Sequence, residues 1–394
     1  MKFTTAGESH GKGLIVIIEG LPAGLHITEK EVNSELKRRQ KGYGRGGRVL
    51  IESDTAEFLS GVRNETTLGS PVSIFIRNKD HENWKQIMNS GAEANTTERV
   101  VKRPRPGHAD LPGAMKYNHS DMRNILERAS ARETAARVAA GSFFKKLLEV
   151  FSIYIYSEVV AVGELPGIPF RPQRQTLGEF YVQVERSQLR CADVKLEQQF
   201  IELIDQARLE GESLGGVFET GAIGVLPGLG SHTGYDRRLD ARLAGLLMSI
   251  PAIKAVEIGE GIVNAAKPGS AVHDEIYYNE EQGIYRLTNR AGGIEGGISN
   301  GETILAKAYM KPIPTLYKPL QSVNTALWGE EKATVERSDI CAVPAAAVVG
   351  EAMLAFGLAE ALLAQLGGDN MEQLKQNYDN YHEYIKKVWR WKKI

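Results

Sequence analysis

Residues 131–162 read ARETAARVAAGSFFKKLLEVFSIYIYSEVVAV, a helical pattern followed by a strand pattern. In the helical part, apolar residues recur three or four positions apart, at Val138, Phe143, Phe144, Leu147 and Leu148. The pattern predicts a long helical region from Ser120 to Val150, in which a kink is allowed, and then a strand over 153–162. Helices and strands in one chain indicate an α+β protein.

The same order of elements occurs again further along the chain. Residues 241–259 form a second helix-then-strand pattern, and their V-E-I-G ending parallels V-A-V-G at 160–163, a hint of internal duplication. Other expected elements are strands at 14–19, 72–76, 216–225 and 302–310 and helices at 29–41 and 196–209. No Pro/Ser-rich linker divides the chain, so we expect a single domain over 1–394, with 367–394 as a peripheral polar and basic C-terminal tail.

The composition excludes several classes of protein. Of 394 residues, 42% are hydrophobic and 25% are charged, as in a globular protein with a sizeable core. The formal net charge of −1 gives no overall attraction to nucleic acid or membranes. Two cysteines are too few for a disulfide scaffold or a cysteine zinc site, and they fit a reducing cytoplasm. The 41 glycines are the one excess, and we expect those at 7–13, 42–47, 107 and 292–297 mainly to let backbone approach a ligand.

The longest apolar stretch does not predict a membrane span. Residues 342–366 contain Glu351 and Glu360, and a charge deep in a bilayer costs about 2.5–3.5 kcal/mol. A helix buried within the protein fits better. Because the N-terminus also lacks a signal-peptide pattern, we expect a soluble cytoplasmic protein without membrane contact.

Three short segments match known functional motifs in their residues, but their length or the predicted elements on either side do not fit those motifs. Gly42–Gly47 spells G-x-G-x-x-G, but a predicted helix precedes it and a strand follows, the reverse of a dinucleotide turn. Gly7–Lys12 is one residue too short for a P-loop and lacks its Ser or Thr. G-E-S-H-G at 7–11 resembles a nucleophile elbow, yet a strand follows where a helix is required. A serine hydrolase that uses Ser9 stays open as an alternative.

Basic residues are concentrated locally. Residues 37–48 hold six of them and no acid, and Arg105 precedes Pro-Gly-His108. Arg128 and Arg132 lie four apart in the predicted helix and are expected to share a face. Arginine binds carboxylate and phosphate in a bidentate manner, so a small polyanion is the favoured ligand. RNA binding through 37–48 is the other alternative, although aromatic residues are sparse there.

Two histidines indicate proton chemistry. His10 and His108 both lie in short polar loops flanked by glycine and next to charged residues. A pair of such residues beside arginines suits proton transfer near neutral pH. Neither has the spacing of a metal ligand, so no metal site is expected.

Seven motifs occur in a characteristic order. They are GESHG at 7–11, RPGHAD at 105–110, ARETAARVAAG at 131–141, VEIGEG at 256–261, AGGIEGGIS at 291–299, KPIPT at 311–315 and RSDICAVP at 337–344. Together they resemble chorismate synthase, the last enzyme of the shikimate pathway, from about residue 4 to 366.

The resemblance implies a fold, an assembly and a reaction. The fold is a layered β-α-β sandwich with central helices between antiparallel sheets, and the assembly is a homotetramer. The reaction is an anti-1,4-elimination that converts 5-enolpyruvylshikimate 3-phosphate to chorismate and phosphate with reduced FMN. NADPH enters only as an indirect reductant, and an external flavin reductase is expected because no reductase domain is visible.

The resemblance also implies site residues. His10 keeps the reduced flavin in its correct protonation state, His108 serves the departing phosphate, and Asp339 accepts a proton from the flavin. The substrate is bound by Arg39, Arg45, Arg48, Arg105, Ser130, Arg132 and Arg337, with the loop Gly42–Gly47 as a flexible cover.

The flavin site is expected to comprise Arg128, Ala129, Ser130, Pro251, Ala252, Gly296, Lys311, Pro312, Ile313, Pro314, Thr315 and Arg337. The family commonly has Ser-Ser where this chain has Ala129-Ser130. A backbone contact at Ala129 is unaffected by this departure, whereas a hydroxyl contact there is lost.

Overall fold

Two larger antiparallel sheets and a set of helices form the fold in the computed structural model, which describes residues 1–47 and 52–392. The helices are α1 Glu29–Gln40, α2 Asp110–Tyr117, α3 Arg123–Ala129, α4 Thr134–Glu149, α5 Leu177–Arg186, α6 Val194–Glu210, α7 Leu239–Met248, α8 Gly261–Asn264, α9 Val343–Leu366 and α10 Met371–Trp389. The strands are β1 Lys2–Ala6, β2 Gly13–Glu19, β3 Ala56–Ser60, β4 Val62–Arg63, β5 Thr66–Thr67, β6 Val72–Arg77, β7 Tyr154–Val162, β8 Leu165–Pro166, β9 Gly216–Ile223, β10 Ile253–Ile258, β11 Ile276–Asn279, β12 Gly283–Arg286, β13 Ile294–Glu295, β14 Ile298–Ser299, β15 Ile304–Met310, β16 Gln321–Asn324 and β17 Gly329–Lys332.

The four-stranded sheet buries one face by alternation of its side chains, whereas β7 and β9 of the five-stranded sheet are buried on both faces. The four-stranded sheet has the order β1-β2-β6-β3, and Val16, Ile18 and Ile74 turn inward with no exposed surface. The five-stranded sheet has the order β10-β15-β9-β7-β8, and its neighbouring strands are antiparallel throughout. A period of two residues places alternate side chains of β2 and β6 on one face, which explains why these two strands are half-buried.

Helices α4 and α9 form the core beside the sheets. They pack on each other, α4 also contacts β2 and β6, and α9 contacts β7 and β9. The two helices lie close together at Gly141, where a Cβ atom would lie 2.3 Å from the Cβ of Ala352. Absence of a side chain at this position lets the two backbones approach.

By length and composition, α9 could cross a membrane, but 83% of its most apolar window is buried inside the protein. Its one fully buried charge, Glu351, accepts hydrogen bonds from Arg38, Lys145 and Arg190. The prediction of a buried core helix is therefore confirmed.

The predicted helical region from 120 to 150 is broken in two. Helix α3 ends at Ala129, and Ser130 has an extended backbone with φ −66° and ψ 141°. The Ser130 hydroxyl accepts a hydrogen bond from Arg132 N, a short 3₁₀ turn follows, and α4 begins at Thr134. The expectation that Arg128 and Arg132 share a helical face is wrong, because the break points Arg128 toward Thr5 and Arg132 toward Asp54.

Most other predicted elements are confirmed. The strand at 253–258 coincides with β10, and the predicted helix at 29–41 corresponds to α1. Thr28 begins α1 with the hydrogen bonds of a capping box shared with Glu31. In the C-terminal region, α10 contacts α9 and buries Met371, Leu374 and Ile385.

Candidate active site

His10 lies in the connection between β1 and β2 and is 6% exposed. Its Nδ1 lies 2.8 Å from Glu127 Oε1 on α3, and its backbone N–H donates to Glu127 Oε2 at 2.8 Å. The ring stacks on Trp84, with 3.9 Å between centroids, and Nε2 lies 3.9 Å from Asp80 Oδ2. His10, Glu127, Trp84 and Asp80 are the His10 cluster: Glu127 binds Nδ1, Trp84 covers one face of the ring, and Asp80 lies on the Nε2 side beyond hydrogen-bond distance.

His108 lies just before α2 and is paired with Asp110. The distance from His108 Nδ1 to Asp110 Oδ1 is 2.6 Å, and Arg105 donates to the same carboxylate from Nε at 2.8 Å. Arg105 Nη1 donates to Thr315 Oγ1 at 2.8 Å. Burial raises the pKa of Asp110, but hydrogen bonds from His108 and Arg105 outweigh it and hold that pKa well below its usual range. Arg105, His108, Asp110 and Thr315 form the His108 cluster around an ionised carboxylate.

Arg39 and Arg132 meet at a buried aspartate. Arg39 comes from the last turn of α1, and its Nη2 donates to Asp54 Oδ2 at 2.8 Å. Arg132 Nη1 donates to the other oxygen of Asp54, and its Nε donates to Asn78 Oδ1 at 2.9 Å. Burial, opposed by Asp54 and assisted by Arg132 and Arg45, lowers the pKa of Arg39. Arg132 Nη2 also lies 3.8 Å from Glu52 Oε2, so two cations face two acids in a poorly solvated space.

Arg45, Arg337 and Asp339 lie close to this pair. Asp339 accepts a hydrogen bond from Gly46 N at 2.7 Å and lies 3.3 Å from Arg45 Nη1. Arg337 donates to Asp80 Oδ2 at 3.1 Å, so it shares Asp80 with His10. We call Arg39, Arg45, Arg132 and Arg337 the arginine cluster. Arg48, predicted to bind the same substrate, lies outside the described residues.

Asn78 joins the arginine cluster to the loop that carries His10. Its amide nitrogen donates to Gly11 O at 2.9 Å and to Glu8 O at 3.0 Å, while its oxygen accepts from Arg132. The His10 cluster and the arginine cluster are therefore parts of one site. In residues 1–47 and 52–392 no hydrogen bond or ion pair joins His108 directly to His10.

Part of the predicted flavin site comes together beside the His108 cluster. Lys311 donates from Nζ to Gly107 O at 2.9 Å and from its backbone to Ala252 O at 3.0 Å. Lys311, Thr315 and the 251–252 turn are therefore neighbours. Arg128 donates to Thr5 O and Gly7 O, and the Ser130 hydroxyl accepts from Ser9. These contacts place Arg128 and Ser130 at the loop of the His10 cluster.

Gly296 is not brought to that place within one chain. It lies in the turn between β13 and β14, and its neighbour Gly297 contacts Arg238 at the start of α7. Ala252 follows the other end of the same ten-residue helix, which is about 15 Å long at 1.5 Å per residue.

Several buried donors near these residues are left for an anionic ligand. Within the described parts of the chain, Arg39 Nε, Arg45 Nε and Arg132 Nη2 are buried and have no hydrogen-bond partner. Burial, with Lys254 nearby, lowers the pKa of Lys311. Unpaired buried donors are costly, so a ligand that supplies acceptors is favoured. The residues thus fit both a phosphorylated substrate and the phosphate of a flavin nucleotide.

Some motif glycines have a different role from the one expected. A Cβ atom at Gly7 would lie 2.3 Å from Gly13 O, and one at Gly46 would lie 2.6 Å from Ser338 O. At these positions the expectation of close approach to a ligand is wrong, because the chain's own backbone occupies the space. At Gly47 and Gly296, by contrast, a Cβ atom would meet nothing within 4 Å.

The three motifs that match only in letters lie next to the secondary-structure elements that the sequence predicted. The turn that contains Ser9 joins β1 to β2, so it is not a nucleophile elbow, and no helix follows Lys12 as in a P-loop. The Gly42–Gly47 loop follows α1 rather than a strand. Within the described part of this loop, the Tyr43 hydroxyl donates a hydrogen bond to Asp205, and Gly44 O accepts one from Ile340 N.

Two cavities lie away from these clusters. One of about 660 Å³ is open to solvent between α5 and the start of α6, with Val182, Cys191 and Val194 in its wall. A second, of about 320 Å³, is lined by Tyr156, Arg171 and residues 288–290. Neither contains a residue predicted from the sequence to act on substrate or flavin.

The sequence interpretation missed four members of the site. Glu127, Asp80, Trp84 and Asp54 were not selected, because each is far in sequence from the residue that it contacts. The motif at 105–110 contains Asp110, for which the sequence predicts no role. Its place two residues after His108 was a usable signal, since a carboxylate near a histidine commonly orients the ring.

Comparison with known proteins agrees with these features. The chorismate synthase family model matches residues 1–363. A chorismate synthase from Syntrophomonas wolfei subsp. wolfei is 61% identical over 394 residues and is covered completely, as is this chain. One from Aquifex aeolicus is 54% identical, with 98% of each chain covered.

A solved structure described as chorismate synthase has a similar fold. It is 45% identical, has a TM-score of 0.80, and the match covers 98% of each chain. The resemblance first indicated by seven ordered motifs is confirmed. This chain belongs to the chorismate synthase family.

Proposed function

We propose that this chain is a carbon–oxygen lyase that eliminates phosphate and a C6 hydrogen from 5-enolpyruvylshikimate 3-phosphate to give chorismate. The observation that carries the proposal is a set of buried guanidinium donors beside the carboxylate-held His10, which have no hydrogen-bond partner among residues 1–47 and 52–392. Membership of the family supports the same reaction.

The substrate carries one phosphate and two carboxylates, roughly four negative charges near neutral pH. Arg39, Arg45 and Arg132 have the donors to meet them, and Arg337, with more than half of its side chain exposed, can turn toward a ligand. Arg48 and Ser130 complete the proposed set. The donors of Arg105 already serve Asp110 and Thr315, so its proposed contact with substrate uses its remaining N–H groups.

The proposed flavin-binding residues are Arg128, Ala129, Ser130, Pro251, Ala252, Gly296, Arg337 and 311–315. Reduced FMN, when bound, would supply transient electron density to the carbon that loses phosphate. The Lys311 ammonium suits an anionic group, which would offset the partial burial that lowers the pKa of Lys311. The separation of Gly296 from Ala252 favours a site completed by another subunit of a homotetramer.

His10, His108 and Asp339 are the residues proposed to donate or accept protons. Asp110 Oδ1 and Arg105 Nη2 lie 2.6 and 2.9 Å from His108 Nδ1 and together orient the ring, and His108 is proposed to serve the departing phosphate through Nε2. His10 is proposed to keep the flavin in its reduced, correctly protonated form. Asp339 faces Arg45 and Gly46 and is proposed as an acceptor of a flavin proton.

Other parts of the proposal concern architecture and location. We propose one domain with a layered β-α-β arrangement and an internal duplication. The duplication is supported by two helix-then-strand units, α4 followed by β7 and α7 followed by β10, whose strands belong to the same five-stranded sheet. A cytoplasmic location, a flexible 42–47 cover and reduction of FMN from outside, with NADPH as the indirect electron source, belong to the same proposal.

An anaerobic turnover experiment tests the function. The protein is supplied with dithionite-reduced FMN and 5-enolpyruvylshikimate 3-phosphate, and phosphate and chorismate are measured. We expect equal amounts of both products, and none when FMN is oxidised. Folded protein that releases no phosphate under reducing conditions would overturn the proposal.

A further inference from the structure

Glu127 contacts His10 at two points, the backbone N–H and the imidazole Nδ1. It is 2% exposed, and its two carboxylate oxygens accept both the backbone N–H and the imidazole Nδ1 of His10, with both Nδ1 distances between 2.8 and 3.0 Å. One side chain therefore fixes the loop and the ring together. A ring held only by packing could rotate about its side-chain bonds, and the two hydrogen bonds to Glu127 remove that freedom.

A neighbouring cation faces the Glu127 carboxylate. Arg123 Nη1 lies 3.6 Å from Glu127 Oε1, one helical turn away, and Arg123 Nη2 donates to Glu336 at 2.8 Å. Arg123 Nη1 is buried, and in residues 1–47 and 52–392 it has no hydrogen-bond partner. The positively charged Arg123 guanidinium therefore lies next to the Glu127 carboxylate.

The opposite edge of the ring faces the proposed active site. Nε2 is directed at Asp80, which also pairs with Arg337 of the arginine cluster. His81 contacts the His10 carbonyl, and Trp84 covers one face of the ring. Nε2 is therefore the nitrogen through which His10 can exchange a proton at the site.

We propose that Glu127 is a positioning residue, which keeps the proton on His10 Nδ1 and leaves Nε2 for proton exchange. The proposal rests on the proposed function in that it assigns His10 a role in turnover. A carboxylate that accepts from one imidazole nitrogen fixes the tautomer and ring direction, as in other histidine–carboxylate pairs.

The first test separates positioning from simple support of the fold. We expect E127Q to lower kcat by about 100-fold while KM changes by less than about threefold. The matched control is E219Q, since Glu219 is a buried carboxylate on β9 that pairs with Arg171 outside the site. E219Q is expected to lower the melting temperature and leave kcat unchanged. Unchanged kcat in folded E127Q would overturn the proposal.

The second test uses a double-mutant cycle. If Glu127 acts through His10, E127Q in the H10A background should reduce kcat by no more than about twofold further. Equal effects of E127Q with and without His10 would show that Glu127 acts elsewhere, and would overturn the proposal.

The third test does not depend on turnover. In ligand-free protein labelled with ¹⁵N-histidine, the His10 signal is assigned by its loss in H10A. We expect Nδ1 to be protonated in the wild type and its signal to shift in E127Q. A bare Nδ1 in the wild type would overturn the proposal. Wild-type protein that releases no phosphate but has protonated Nδ1 would contradict the proposed function while supporting the role of Glu127.

Discussion

Single carboxylates set the geometry at both histidines, and each acts in a different electrostatic setting. Asp110 is fully buried and is neutralised by Arg105, which donates to it with Nε and Nη2. Glu127 is neutralised by a more distant Arg123. At the residue scale, the site is therefore a pair of histidines whose directions are decided by charged neighbours.

Replacement of Asp110 by Asn is expected to impair turnover. D110N leaves the Arg105 guanidinium without a counter-ion and weakens the acceptor for His108 Nδ1, so we expect kcat to fall by about 100-fold or more. Steady-state anaerobic phosphate release measures this. D379N, on the exposed side of α10, should behave as the wild type. Wild-type kcat in D110N would contradict a role for Asp110 in directing His108.

Glu158 is expected to give the protein a pH-dependent stability unrelated to the site. It lies opposite Glu219 in the register of β7 with β9, and burial, opposed by a hydrogen bond from Phe170 N and assisted by Glu219, raises its pKa from 4.5 to about 7. Between these values the folded state holds a proton that the unfolded state has lost. The free energy of unfolding therefore falls as pH rises through this window.

E158Q removes this titration. Between pH 4.5 and pH 8 the free energy of unfolding of the wild type should fall by roughly 3 kcal/mol more than that of E158Q. Urea unfolding at both pH values measures the difference, and E164Q, exposed in the turn after β7, serves as the control. Identical pH slopes for E158Q and wild type would contradict the raised pKa.

Helices illustrate at the element scale which features local pattern determines. The capping box at Thr28 and Glu31 could be predicted because it depends on residues three apart, and α1 begins where expected. The break at Ser130 could not be located from periodicity, since apolar spacing continues through it. There the Ser130 hydroxyl competes with helical hydrogen bonding and begins a new turn.

Close packing of α4 on α9 gives a prediction at this scale. In G141A the new methyl group would lie 2.3 Å from the Cβ of Ala352, so we expect a loss of about 1–3 kcal/mol in the free energy of unfolding. Gly245 in α7 is exposed, and a Cβ there meets nothing within 4 Å. G245A should therefore stabilise by up to about 1 kcal/mol through helix propensity.

Thermal melts of the two glycine variants against the wild type check this expectation. The two substitutions are chemically the same, so the sign of each change reports the packing around it. Equal melting temperatures for G141A and the wild type would contradict the contact between the helices.

At the scale of the whole molecule, a near-neutral chain concentrates cationic groups in one place. The formal net charge is −1, yet Arg39, Arg45 and Arg132 are buried or nearly so around the acids Asp54 and Asp339. In the ligand-free protein these acids supply counter-charge. A substrate with about four negative charges is then attracted to donors that are already ordered.

The whole protein is expected to depend on an external source of reduced flavin. The single G-x-G-x-x-G follows a helix, so no dinucleotide turn is formed there. Purified protein with FMN and NADPH should not oxidise NADPH, and should turn over substrate only after a reductase or dithionite is added. NADPH oxidation that depends on the pure protein would contradict this expectation.

The sequence by itself predicted the strands β2, β6, β7, β9, β10 and β15, the helices α1, α6 and α9, the buried nature of α9 and, through seven ordered motifs, the family. These features depend on neighbouring residues or on a fixed repeat, so they can be recognised along the chain. Only the tertiary structure decided that Glu127 holds His10 across 117 positions and that Arg38 reaches Glu351 across 313. Burial and ion pairing act between residues that folding brings together, and sequence separation carries no record of those distances.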